Sequence, residues 1–176
     1  MSKILILYRS KYGSTKKYVQ WLSEALPCDA CEVRRYDYEN IGDYSAVILA
    51  GGVYAGGISV LKAMVDSNFK ALAGKKAAVL AVGASPYDEA HVEELRKTLP
   101  KSLDAPVFYA RGAYDESRMK LGDRLLCGLL RKTLQKKDPS DYEPWMEGLI
   151  ESGGKPCDWT RRQNLRDLMD YMREEK

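Results

Sequence analysis

Ser10-Lys11-Tyr12-Gly13-Ser14-Thr15 is the stretch whose reading decides the rest of the chain. It follows the apolar run Ile4-Leu5-Ile6-Leu7-Tyr8 and leads into Tyr18, Val19, Leu22, Ala25 and Leu26 at helical spacing, which predicts a strand, a turn and a helix. A helix start leaves its first N–H groups unpaired and carries partial positive charge. Four hydroxyls and one glycine in these six residues add donors and allow close approach. A phosphate monoester fits that chemistry, and so does the plainer role in which Ser10 or Ser14 caps the helix. The Gly-Lys-Ser/Thr of a P-loop is missing, as is a Gly-x-Gly-x-x-Gly with an acidic residue about 20 positions on.

Outward from this stretch the chain alternates strand and helix five times. Cys31-Glu32-Val33-Arg34-Arg35-Tyr36 reads as a poorly apolar second strand at a sheet edge. Ala46 to Ala50 reads as a strand buried on both faces, ending at Gly51-Gly52-Val53-Tyr54-Ala55-Gly56-Gly57, a loop with four glycines and one aromatic. Ser59 is expected to cap a helix carrying Leu61, Met64, Val65, Phe69 and Leu72. Ala77 to Val82 forms a fourth strand delivering Gly83-Ala84-Ser85-Pro86-Tyr87. Asp88 or Glu89 then starts a helix with Val92, Leu95 and Leu99 inward and His91 toward solvent, and Pro106 to Ala110 is the fifth strand. Such alternation favours a doubly wound parallel sheet with right-handed crossovers, and open sheets of this kind bind ligands at the carboxyl ends of their strands. The glycines of both later loops let the backbone lie against a flat ligand, with Tyr54 and Tyr87 as stacking partners.

The first stretch resembles the phosphate loop of the flavodoxins, a Thr/Ser-x-Thr/Ser-Gly-x-Thr turn after the first strand, with Tyr12 in place of a small hydroxyl residue. The resemblance covers nearly the whole chain. It implies a flavodoxin-like α/β fold with a five-stranded parallel sheet in the order 2-1-3-4-5 and FMN as cofactor. The phosphate would lie on Ser10, Tyr12, Gly13, Ser14 and Thr15. The ring would lie between Gly52, Val53, Tyr54, Ala55, Gly56 and Gly57 on one side and Gly83, Ala84, Ser85 and Tyr87 on the other. Receiver domains share the strand order but need acidic residues just after the first strand, where Arg9-Ser10-Lys11 stands here.

With 176 residues, 45% hydrophobic and 30% charged, the chain is expected to be one domain with a sizeable core, 112–176 forming a helical extension. Its longest apolar runs fall far short of the ~18 residues that span a bilayer, and its start lacks a signal-peptide pattern, so a cytoplasmic protein is expected. A net charge of +3 is too small to argue for nucleic acid, and it departs from the strong acidity usual among flavodoxins that shuttle electrons. Cys28-Asp29-Ala30-Cys31 sits between a helix and a strand, not at the start of a helix, and reads as free thiols with no metal site.

From Glu116 to Lys137 seven basic side chains accompany two acidic ones and a row of leucines. A basic amphipathic helix of this kind can lie on an anionic membrane surface or grip an acidic partner; it can equally be a closing helix whose apolar stripe is core. Residues 138–158 read as an acidic loop with turns at Pro144-Trp145 and Asp158-Trp159, followed by a last helix from Arg161 to Glu174. Ala110-Arg111-Gly112-Ala113-Tyr114, the basic helix and Asp158-Trp159 together resemble the flavodoxin-type protoporphyrinogen oxidases. That resemblance implies an FMN-dependent oxidoreductase with a small-molecule or quinone electron partner, peripheral to the inner face of the membrane through 116–137. An electron carrier between redox proteins and a flavin-free interaction module are the other two functions the residues admit.

Overall fold

The computed structural model describes residues 3–174, apart from the side chains of 144 and 145. Five parallel strands form the centre: β1 (Ile4–Arg9), β2 (Cys28–Glu32), β3 (Ala46–Tyr54), β5 (Lys76–Gly83) and β6 (Val107–Arg111), in the order β2-β1-β3-β5-β6. This is the 2-1-3-4-5 order expected from the alternation. A two-residue strand β4 (Gly57–Ile58) folds back antiparallel on the end of β3.

Period-two alternation sorts the strands' apolar residues into two layers. Leu5, Leu7, Val47, Leu49, Val79 and Ala81 point to one face, where they meet Phe69 of α2 (Asp66–Lys70) and Val92 and Leu95 of α3 (Glu89–Lys97). Ile4, Ile6, Ile48, Ala78 and Leu80 point to the other. There they meet Tyr18, Val19 and Leu22 of α1 (Ser14–Ala25) and Leu168 and Met172 of α6 (Arg166–Arg173). The fully buried Tyr18 ties these parts together: its hydroxyl donates to the Arg111 carbonyl at 2.6 Å and accepts from Arg161 N and Asn164 Nδ2.

Several expected boundaries move. The second strand begins at Cys28, three residues early, because Cys28 to Glu32 pairs with β1 from Ile4 on. Cys28 and Cys31 thus sit at odd spacing on one strand and pack on opposite faces of the sheet, which keeps them from sharing a ligand. The third strand runs on to Tyr54, since Gly51 and Gly52 still pair with β1 and β5; the expected glycine loop is the tip of a hairpin closed by Ala55 and Gly56 at φ 47° and 69°. After Ser59 there is only a 3₁₀ turn (Leu61–Ala63) and the five-residue α2, with Val65 exposed and Ser59 turned back to the Arg9 carbonyl. His91 packs edge-on against the Tyr109 ring at 5.9 Å and does not project freely into solvent.

The extension holds α4 (Leu121–Leu134), α5 (Pro144–Ser152) and a two-stranded antiparallel sheet of β7 (Ala113–Tyr114) and β8 (Cys157–Asp158). Residues 138–158 are therefore not one loop. Pro144 at the start of α5 suits a first helical turn, and Met146 and Leu149 join Tyr114 and Leu134 in a third, smaller core.

Candidate functional site

The loop between β1 and α1 turns on Gly13, the residue before the helix, at φ 103°, a left-handed conformation that a side chain would strain. Ser10 Oγ accepts from the N–H groups of Gly13 (3.2 Å) and Lys16 (3.3 Å), so it steadies the loop and takes one of the helix's orphan donors from a distance. Ser14 Oγ instead accepts from Ala113 N at 3.1 Å. That leaves the N–H groups of Tyr12, Ser14 and Thr15 without hydrogen bonds among the described residues. Thr15 is only 2% exposed, and its hydroxyl likewise finds no partner among the described residues. Orphaned donors at a helix start, with a stranded hydroxyl beside them, match the demands of a phosphate.

Positive charge gathers around this loop. The Lys11 ammonium lies 5.3 Å from the Tyr12 ring centre and 5.5 Å from that of Tyr54, and the Arg118 guanidinium reaches within 3.9 Å of where a Gly13 Cβ would stand. Asp123, in the first turn of α4, accepts from both Lys11 and the Tyr12 hydroxyl. The hydrogen bond to Asp123 raises the Lys11 ammonium above its usual range, and the same contact lowers the Asp123 carboxyl. Tyr12 therefore lends its hydroxyl to the extension, with Lys120 N also donating to it at 3.4 Å.

Tyr54, at the end of β3, stands edge-on to Tyr12 with ring centres 6.5 Å apart. Burial pushes its phenol up to about 12, so it presents a neutral ring at any ordinary pH. Gly52 lies under that ring, whereas Val53, Ala55, Gly56 and Gly57 shape the hairpin tip. The third predicted loop divides. Gly83 accepts from Gly112 N at 2.7 Å, and Ala113 N donates to Ser14, so Gly83 adjoins the loop at 10–15 through a short bridge. Ala84 and Ser85 are covered by α5, where Gly148 comes so close that a Cβ would stand 2.7 Å from the Ala84 carbonyl oxygen. Tyr87 goes elsewhere, edge-on to Tyr109 in a cleft of about 570 Å³ along the outer edge of β6; Arg111 and Trp159 also line it, and no residue of 10–15 or 51–57 does. The fold thus unites Ser10–Thr15, Gly52–Tyr54 and Gly83, and separates Tyr87 from Tyr54.

Lys11, Arg118 and Asp123 escaped the reading of sequence because the two partners in α4 and the turn before it lie more than 100 residues from the loop. Arg111 was seen only as part of a tail pattern. It stacks on the Trp159 indole at 4.0 Å, donates to the Ala84 carbonyl and pairs with Glu151, which joins β6, β8 and α5 behind the site.

Among solved structures the chain is similar to the Trp repressor binding protein of Bacillus subtilis, with 17% identity over 70% of this chain and 89% of that one and a TM-score of 0.49. It is also similar to a flavodoxin from the domain Archaea (14% identity, 71% and 90% covered, TM-score 0.43). The flavodoxin of Streptococcus pneumonia TIGR4 is a third such structure (18% identity, 60% and 82% covered, TM-score 0.41). No curated protein sequence matches the chain. The model of the flavodoxin domain matches residues 5–142, from the first strand through the loop at 10–15 to beyond α4, and over that span the chain belongs to the flavodoxin domain family.

Proposed function

We propose that this chain binds FMN through the loop at 10–15 and works as an FMN-dependent oxidoreductase. The observation that carries the reading is the loop's set of free donors: the unpaired N–H groups of Tyr12, Ser14 and Thr15, with the Thr15 hydroxyl beside them also without a partner among the described residues. Those donors would hold the phosphate, and Arg118 would balance its charge, with Lys11 shared with Asp123. Tyr54 offers a neutral aromatic face with the backbone of 52–57 beside it, and Gly83 joins the loop at 10–15 through Gly112 and Ala113. FMN, when bound, supplies one- or two-electron transfer. The chain's residues would anchor and orient it, with Asp123 held by Lys11 and Tyr12.

The finer reading, a protoporphyrinogen-oxidising enzyme with a quinone acceptor, is supported by the order of the tail: Ala110 to Tyr114, a basic helix, then Asp158-Trp159. Support for an enzyme over an electron carrier comes from the charge of +3, where a carrier docking to basic partners would gain from acidity. The test is titration of the purified chain with FMN, followed by turnover assays with protoporphyrinogen and a soluble quinone. Flavin uptake with reduction of quinone supports the enzyme. Uptake with electrons passed only to redox proteins makes it a carrier, and a colourless chain makes it an interaction module.

A further inference from the structure

We infer that the outer edge of β6 takes up an extended peptide segment of a partner protein as an added strand. β6 is the last strand of the parallel sheet and pairs on one side only, with β5. In a parallel ladder the N–H and C=O of one residue point to the same side, and successive residues alternate. Val79 N donates to the Pro106 carbonyl and Gly112 N to that of Gly83, so the even-numbered residues of this stretch face β5 and the odd-numbered ones face out. The Tyr18 hydroxyl donates to one outward group, the Arg111 carbonyl. The N–H groups of Val107, Tyr109 and Arg111 and the carbonyls of Val107 and Tyr109 make no hydrogen bond among the described residues. Donors and acceptors repeating about every 6.6 Å along an edge match the backbone of another strand.

The cleft of about 570 Å³ runs along these groups, with Tyr87 and Val92 on the α3 side and Trp159, Arg161 and Asp167 on the other. β6 is therefore recessed between two walls. Two such strands cannot meet edge to edge, whereas a free segment can enter, so the occupant is a partner's peptide and not a second copy. The opposite edge of the sheet is built differently: β2 carries Asp29 and Glu32, charges of the kind that guard an edge, while Val107 to Ala110 carry none. Alternating side chains of the incoming strand meet Tyr87 and Val92 on one face and Phe108 and Trp159 on the other, which selects apolar residues. Arg161 and Asp167 are exposed and make no ion pair among the described residues, so the segment also carries one acidic and one basic side chain. No residue of 10–15 or 51–57 lines the cleft, and the inference stands apart from the FMN reading.

Panning a library of random linear heptapeptides on the immobilised full chain tests it. The expected binders combine apolar residues with an acidic and a basic one, and a binder in solution should slow amide hydrogen exchange at Val107, Tyr109 and Arg111. N-methylation of that peptide at alternate residues should lower its affinity about tenfold, because each methyl removes a strand hydrogen bond, and at the residues between should change it little. Arg161→Glu should weaken binding about tenfold with the thermal melt unchanged, and Lys in place of the peptide's acidic residue should restore it. The inference is overturned if no binder is enriched, if binders tolerate N-methylation at every position, or if exchange slows elsewhere. It is equally overturned if the chain alone forms a dimer in which these amides are already protected, since a second copy would then fill the edge.

Discussion

In α1, Tyr18 and Leu22 are fully buried and Val19 is 3% exposed, whereas in α4 Leu121, Leu125, Leu126 and Leu129 are all more than half exposed. Both helices are amphipathic, and they differ little in length, at 12 and 14 residues. The difference lies in what was built before them: α1 closes a βαβ crossover and is forced onto the sheet, while α4 follows the last strand of the parallel sheet and packs its inner side on α5 and the β7–β8 pair. An apolar stripe says that a helix has a face to cover. It does not say what covers it.

Leu22→Ala is the harshest way to test that contrast. It should cost about 3 kcal/mol in urea unfolding, because a fully buried leucine in α1 leaves a cavity against the sheet. Next comes Thr15→Ala, in the first turn of the same helix. It should weaken FMN binding roughly tenfold by fluorescence titration while leaving the urea midpoint in place, since the hydroxyl serves no partner within the described chain. A shifted midpoint would instead give Thr15 a structural role.

Asp158 of β8 ties the two regions together through Lys17 of α1 at 2.8 Å. Burial alone would raise its carboxyl, but hydrogen bonds from Lys17 and Thr160 outweigh that and hold it at about 2. Its stabilising effect is therefore complete above the unfolded value of about 4 and is lost as the pH falls through about 2. The side chain is 56% exposed, so solvent screening limits the effect to about 1 kcal/mol. Asp158→Asn should flatten the melting-temperature profile between about pH 4 and pH 2; an unchanged acid limb would mean that this link between α1 and the extension contributes nothing.

Smaller effects fall in α4. Asp123→Asn releases Lys11 for the phosphate and should tighten FMN binding about two- to threefold at low salt, and weaker binding would show that Asp123 orders the loop instead. Leu125→Ala should change stability by less than about 0.5 kcal/mol. A loss approaching that of Leu22→Ala would mean that the face is covered in the protein as it folds, and the contrast between the helices would collapse.

The three central parallel strands were legible because each is a short apolar run bounded by turn residues: Ile4 to Tyr8, Ala46 to Ala50 and Ala77 to Val82 need no tertiary knowledge. The donor-rich turn at 10–15 was legible for the same reason, as its hydroxyls and Gly13 sit within six residues. Boundaries failed where neighbours decide them. Gly51 and Gly52 look like loop and behave as strand because β1 and β5 pair with them, and Cys28 joins β2 because Ile4 lies beside it. Residues 138–158 read as a loop with a turn at Pro144-Trp145 because Pro, Trp and Gly hide a helix whose Met146 and Leu149 face a core made by distant segments.

Local chemistry, then, determined that this chain winds strand and helix into a parallel sheet, and that a donor-rich turn opens its first helix, because each needs residues only a few positions apart. Tertiary structure decided that Tyr12 serves Asp123, that Tyr87 lines the cleft along β6, and that the leucines of α4 point outward. Those outcomes depend on which surfaces meet once the sheet has formed, and periodicity in one segment carries no information about the partner that approaches from a hundred residues away.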